Sequence, residues 1–162
     1  MKTTIKIFIV TIFIFSLSSC SSLSYADGVK CHDIGNEIHT VLNDQKEYAE
    51  FENTGINNAL DLSDEYDDFY AVYSTDTNDI DEIAIFHAKS KEDAEEILEA
   101  CQEYIDDMQE NSRAFISSYA PNELPKLDEA RVRRFGNYIV YTVLDAQTAN
   151  SAFEAIKEAL KQ

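Results

Sequence analysis

The sequence predicts an α+β domain of two layers: a four-stranded antiparallel sheet of two hairpins with helices packed against it, in the order α-β-β-α-β-β-α. Three observations predict it. Four short runs rich in β-branched and aromatic residues fall into two pairs, each split by a polar or glycine-bearing turn. Three other stretches repeat apolar residues every three or four positions, the period of an amphipathic helix. The chain has 162 residues with 44% hydrophobic content, enough for one domain with a real core and too much for disorder.

The first helix opens at Cys31, carries Ile34, Ile38, Val41 and Leu42 on one face, and ends near Asn43. Residues 44–61 are polar and irregular, with Gly55, Asn53, Asn57 and Asn58, and leave room for a short helical turn over 56–62. Runs 69–73 (FYAVY) and 82–88 (EIAIFHA) flank the polar turn STDTNDID as the first hairpin. Both are apolar on each face, which places them centrally in a sheet covered on at least one side.

Ser90-Lys91-Glu92-Asp93 approximates a capping box, with a hydroxyl to accept a first-turn amide and acids favoured by the helix dipole. The helix it starts has one stripe of Ala94, Ile97, Leu98, Cys101, Tyr104, Ile105 and Met108. It can run on through Arg113, Phe115 and Ile116 before Pro121 and Pro125 bound a loop. Runs 130–134 and 138–144 form the second hairpin around Phe135-Gly136-Asn137, where glycine makes a positive φ cheap. Asp145 then caps a last helix with Ala149, Ala152, Phe153, Ile156, Ala159 and Leu160 on one face.

Before this domain, Lys2 and Lys6 and an apolar run over 7–15 form a secretory signal, too short to span a membrane. The signal ends in Leu17-Ser18-Ser19-Cys20, a lipobox pattern. Cleavage before Cys20 puts diacylglycerol on its thiol and divides the chain into a signal peptide (1–19), a Ser-rich tether (20–28) and a single domain (29–162). The expected location is the extracytoplasmic face of the cell membrane. The alternative is ordinary cleavage after Ala26, which fits the small-x-small pattern of Ser24-Tyr25-Ala26 and releases a secreted protein.

Thirteen Lys and Arg stand against 31 Asp and Glu, a formal charge of −18 that becomes 11 − 31 = −20 once Lys2 and Lys6 leave with the signal. Such a surface repels nucleic acid and anionic head groups, so no nucleic-acid partner is expected. With Cys20 assigned to lipid, Cys31 and Cys101 remain as an even pair in an oxidising compartment. They either meet in a disulfide or lie apart as buried thiols.

The residues that carry chemistry form no recognisable constellation. HExxH, CxxC and GxSxG are absent, and four glycines are too few for phosphate-cradling loops. His32, His39 and His87 are too scattered to name a metal site, and no cofactor is expected. The run Asp76, Asn78, Asp79, Asp81, Glu82 has the oxygen-rich character of a calcium loop. Its sixth and twelfth positions are Asp81 and His87, where glycine and glutamate are required. Asp64, Glu65, Asp67 and Asp68 offer carboxylate pairs of the kind that hydrolyse glycans, a pattern of little specificity in so acidic a chain. Tyr70, Tyr73, Tyr138 and Tyr141 lie in the strands, so an open tyrosine-lined sheet face is the first place to look for a bound ligand.

Three segments taken together carry a family resemblance: YAVYSTDTNDIDEIAIFHAKSKEDAEEI, the loop SYAPNELPKL with Pro121 and Glu123, and FGNYIVYTVLD with its following helix. They resemble the small lipoproteins of Gram-positive, clostridial-type bacteria grouped as the domain of unknown function 4358 family, over residues 29–160. His87 stands where a lysine is expected in that family. The resemblance implies the compartment and the fold and supplies no active-site residue. The expected function is a non-enzymatic binding or accessory domain, held to the membrane through Cys20, with an envelope protein or cell-wall component as partner. The alternatives are a carboxylate-dependent hydrolase of wall glycan and a divalent-cation binder.

Overall fold

The structure, a computed structural model, describes residues 24–42 and 45–162. Its elements run α1 (Cys31–His39), β1 (Tyr48–Glu50), α2 (Asn53–Leu60), β2 (Tyr66–Ser74), β3 (Glu82–Ala88) and α3 (Lys91–Asp107). A π-helical turn (Met108–Ser112) then leads to α4 (Arg113–Tyr119), a 3-10 turn (Pro121–Glu123), α5 (Leu124–Glu129), β4 (Arg131–Phe135), β5 (Tyr138–Val143) and α6 (Ala146–Ala159). The sheet is antiparallel throughout, with five strands in the order β1-β2-β3-β5-β4.

Both expected hairpins are present, and both helix starts are capped as read. Ser90 Oγ accepts from the Asp93 amide at 3.1 Å, and Asp145 accepts from the amides of Gln147 and Thr148 at 3.1 and 3.0 Å. Gly136 turns the second hairpin at φ +64°.

Three expectations are corrected. The sheet has five strands instead of four, because Tyr48–Glu50 pairs with the end of β2 (Tyr48 with Ser74, Ala49 with Tyr73). Three residues are too short to show a two-residue period, so only pairing along the edge of β2 away from β3 makes them a strand. The element order gains β1, α2 and the helices after α3. The architecture is also three layers and not two. Ile34 and Ile38 of α1 with Phe153 and Ile156 of α6 pack on Tyr70, Val72, Ile83, Ile85, Tyr138 and Val140. On the opposite face, Ile56 and Leu60 of α2 with Ile97, Cys101 and Ile105 of α3 pack on Ala71, Ala84, Phe86, Ile139 and Tyr141. Alternate residues of β2, β3 and β5 feed two separate cores, and each fully buried Ile or Phe contributes about 1.5–3 kcal/mol.

Residues 24–28, expected within the tether, lie on the domain. Tyr25 bridges to Lys161, the Ala26 amide donates to Leu160 O at 2.7 Å, and the Tyr25 ring meets Phe135 edge-on at 5.5 Å. His87 fastens this arm: its Nε2 lies 2.8 Å from Asp27 Oδ1 and its Nδ1 2.6 Å from Asp67 Oδ1. With both ring nitrogens facing carboxylates, the imidazolium satisfies the site best. Burial alone would lower the His87 pKa, but the bonds to Asp27 and Asp67 outweigh it and raise it above 6.5.

Two expected outcomes follow from these contacts. A Cβ on Gly35 would lie 2.6 Å from two ring carbons of Tyr70, so Gly35→Ala overpacks the α1 face and lowers stability by about 1–3 kcal/mol, read by denaturant melting. Because the folded His87 pKa is raised, its hold on the arm is complete below about pH 6.5 and is lost as pH rises through the folded value. Hydrogen-exchange protection of the Ala26 amide follows that profile, and His87→Ala flattens it.

Candidate functional site

A groove opens on the α3 face where the strands end and α3 passes into the π turn. Its floor is formed by Phe51, Tyr73 and Glu82, its opposite wall by Met108, Phe115 and Ile116, and its volume is about 320 Å³. That is near the lower end of ligand pockets, about 300–1,000 Å³. The geometry follows from the local fold. Tyr73 and Glu82 are register partners on β2 and β3, so their side chains share one face. The π turn, a feature that recurs at functional sites, separates α3 from α4, and Met108 and Ile116 still face the floor. Phe115 and Tyr119 pack as a tilted pair with ring centroids 4.5 Å apart on α4 and are 64% and 68% exposed.

Glu82 is a buried acid of this groove, which Asp79 and Asp81 also line. Tyr104 OH donates to its Oε1 at 3.2 Å, and Tyr141 OH donates to the same oxygen. Among the described residues no Lys, Arg or His nitrogen lies within 4.0 Å of its carboxylate. Burial raises its pKa above the usual glutamate value, opposed by the two tyrosine hydroxyls. A carboxylate perturbed by burial and lining a cleft makes this groove the candidate site.

Beside it stands an ion network. Lys126 Nζ lies 2.7 Å from Asp79 Oδ1 and 2.5 Å from Asp81 Oδ1, and also pairs with Glu123. Lys46 Nζ lies 2.6 Å from Asp81 Oδ2 and also pairs with Asp79. Tyr48 OH donates to Asp81 Oδ2 at 2.9 Å. Burial would raise the Asp79 pKa and lower that of Lys126, but the pairing outweighs it in both, lowering the acid and raising the base.

The calcium-loop reading of residues 76–82 meets its test here. Asp79, Asp81 and Glu123 do converge, with one oxygen each within 4.8 Å of the others, and the lysine ammoniums lie among them. Glu123 joins from the Pro121–Glu123 turn, more than forty positions along the chain, a partner no local spacing announces.

The other sequence candidates disperse. Cys20 lies outside the described residues. Cys31 is buried beneath α1 and Cys101 beneath α3, on opposite faces of the sheet. Both are free thiols, so the disulfide alternative is overturned by the intervening sheet. Burial pushes both thiols up and leaves them unreactive. The tyrosine platform is likewise corrected: Tyr70 and Tyr138 belong to one core and Tyr141 to the other. Only Tyr73, 38% exposed, faces the groove. His32 and His39 flank Tyr70 edge-on. Asp64 pairs with Lys89 and Asp67 with His87. Glu65 accepts the amides of Ser63 and Asp64, and Asp68 accepts that of Cys31. This acid cluster is engaged in local structure.

Sequence reasoning named Tyr73 and Glu82 without joining them and missed Phe51, Met108 and Phe115 as lining. The available signal was Glu82 itself, an acid beginning a strand whose middle, Ile83 to Phe86, is apolar on both faces.

Lys126→Met removes the central cation from three carboxylates and lowers stability by about 3 kcal/mol, measured by denaturant melting. Calcium in millimolar excess leaves the melting temperature of the wild-type chain unchanged, since two ammoniums already occupy the space between the carboxylates. Because the Asp79 pKa is lowered, its contribution is complete above its usual 3.8 and is lost as pH falls through the folded value.

Among the described residues no helix is long and apolar enough to cross a membrane. No curated protein and no solved structure matches this chain. The family described as Domain of unknown function (DUF4358) matches residues 41–144, well over half of the chain and a span that includes all five strands and the whole groove. The chain belongs to the domain of unknown function 4358 family.

Proposed function

We propose that this protein is a lipid-anchored extracytoplasmic binding domain, held to the membrane through diacylglycerol on Cys20 and presenting the groove to a partner at the cell envelope. One observation carries the reading. The docked arm and the groove sit at opposite ends of β3, with His87 fastening the arm at one end and Glu82 flooring the groove at the other. Five residue steps along a strand span about 17 Å. A chain tethered just before Ser24 therefore turns the groove away from the bilayer.

Cleavage before Cys20 also keeps Tyr25 and Ala26, whose contacts with Lys161, Leu160 and Phe135 pin the arm. Cleavage after Ala26 would discard them. A binding role suits the site better than hydrolysis, because Asp79 and Asp81 are held by lysines and Glu82 is held by two tyrosine hydroxyls.

Mass spectrometry of the mature protein should find an N-terminus at Cys20 carrying lipid, and Cys20→Ala should move the chain from the membrane fraction to the medium. A mature wild-type chain starting at Asp27 in the medium would establish the secreted alternative instead.

A further inference from the structure

We infer that the groove over Glu82 seats a lysine or arginine side chain which a protein partner presents between apolar residues. The inference rests on the groove being the partner-binding surface and names the chemistry of what enters it. Four features favour this occupant. The volume, about 320 Å³, suits an anchoring side chain and its immediate neighbours better than a large ligand. The floor carries a carboxylate that lacks a cation among the described residues, while the neighbouring Asp79, Asp81 and Glu123 already share Lys46 and Lys126. Tyr141 OH bonds to Oε1, and Tyr104 OH is shared between Oε1 at 3.2 Å and Oε2 at 3.3 Å, so Oε2, with this one long contact, retains acceptor capacity.

The fourth feature is the wall. Phe51 and Tyr73 pack at 4.7 Å, and Phe115 faces them across the opening. Aromatic faces of this kind cover the methylene stem of a long basic side chain and attract its charge. The exposed Phe115 and Tyr119 pair extends the apolar surface beyond the cavity, where flanking residues of a peptide would lie. A formal charge of −18 disfavours a second copy of this chain and an anionic head group alike.

The test uses the full chain and two fluorescent peptides, acetyl-Leu-Phe-Lys-Phe-Leu-amide and the same peptide with norleucine in place of lysine, with binding read by anisotropy. The lysine peptide is expected to bind at least about tenfold more tightly, the scale of one charge-assisted hydrogen bond. Glu82→Gln, whose amide oxygen still accepts from the tyrosines, should bring the two affinities together. Glu99→Gln, at an exposed acid of α3 outside the groove, should preserve the lysine preference and so control for the loss of one negative charge. Phe115→Ala should weaken both peptides.

Equal affinities in the wild type, or a lysine preference that survives Glu82→Gln in a variant that melts normally, would overturn the inference and leave the groove as a binding surface. Failure of both peptides to bind would overturn the groove reading itself, as would self-association in sedimentation that Phe115→Ala abolishes.

Discussion

Everything in this fold depends on β3 having no solvent side. Ile83, Ala84, Ile85 and Phe86 are each essentially inaccessible to water, and the strand is hydrogen-bonded to β2 on one flank and β5 on the other. Such a strand is stable only if both faces of the sheet are covered. The chain meets that demand from its two ends and its middle: α1 and α6 close one face, α2 and α3 the other. The sheet then acts as a partition. Groups read as potential partners from sequence, Cys31 with Cys101 and Tyr138 with Tyr141, fall on opposite sides of it.

The same strand explains where polar chemistry survives. Its apolar middle admits none, so its polar side chains stand toward the ends, Glu82 at one and His87 near the other. Each is handled differently. His87 is set between two carboxylates and ties the N-terminal arm to the domain. Glu82 is set between two neutral hydroxyls, which hold its geometry without supplying a charge. A few residues away, Asp81 is matched by two ammoniums. Side by side, the two acids show the difference between a carboxylate closed by an internal counter-ion and one left to meet an external cation.

The legible part of the sequence was the part governed by near neighbours. The EIAIFHA and YIVYTVL runs, the Ser90 and Asp145 caps, Gly136 at its turn and the stripe from Ala94 to Ile105 could all be read because local sterics and hydrogen bonding decide them. β1 could not, since three residues carry no period and their pairing depends on the edge of β2 that faces away from β3. The second helical layer was legible in part: the helical turn allowed over 56–62 is α2, set in a polar, asparagine-rich segment whose only buried residues are Ile56 and Leu60, so its place in a layer was not. The tyrosines misled first because positions three apart in a strand, Tyr70 and Tyr73 or Tyr138 and Tyr141, point to opposite faces. β-strand alternation says which residues share a face, and whether that face is open is decided by helices far away in sequence.

By itself the sequence determined the central strands, the major helices and their caps, the acidic surface and the family, because these rest on local periodicity, composition and matched segments. Only the tertiary structure decided that the sheet is covered twice, that the two cysteines cannot meet, that Glu123 and Lys126 close around Asp79 and Asp81, and that Phe51, Tyr73, Glu82 and Phe115 line one groove. Each of these joins residues distant along the chain through the packing of helices on a two-faced sheet. That packing is a collective balance of burial, and no single segment encodes it.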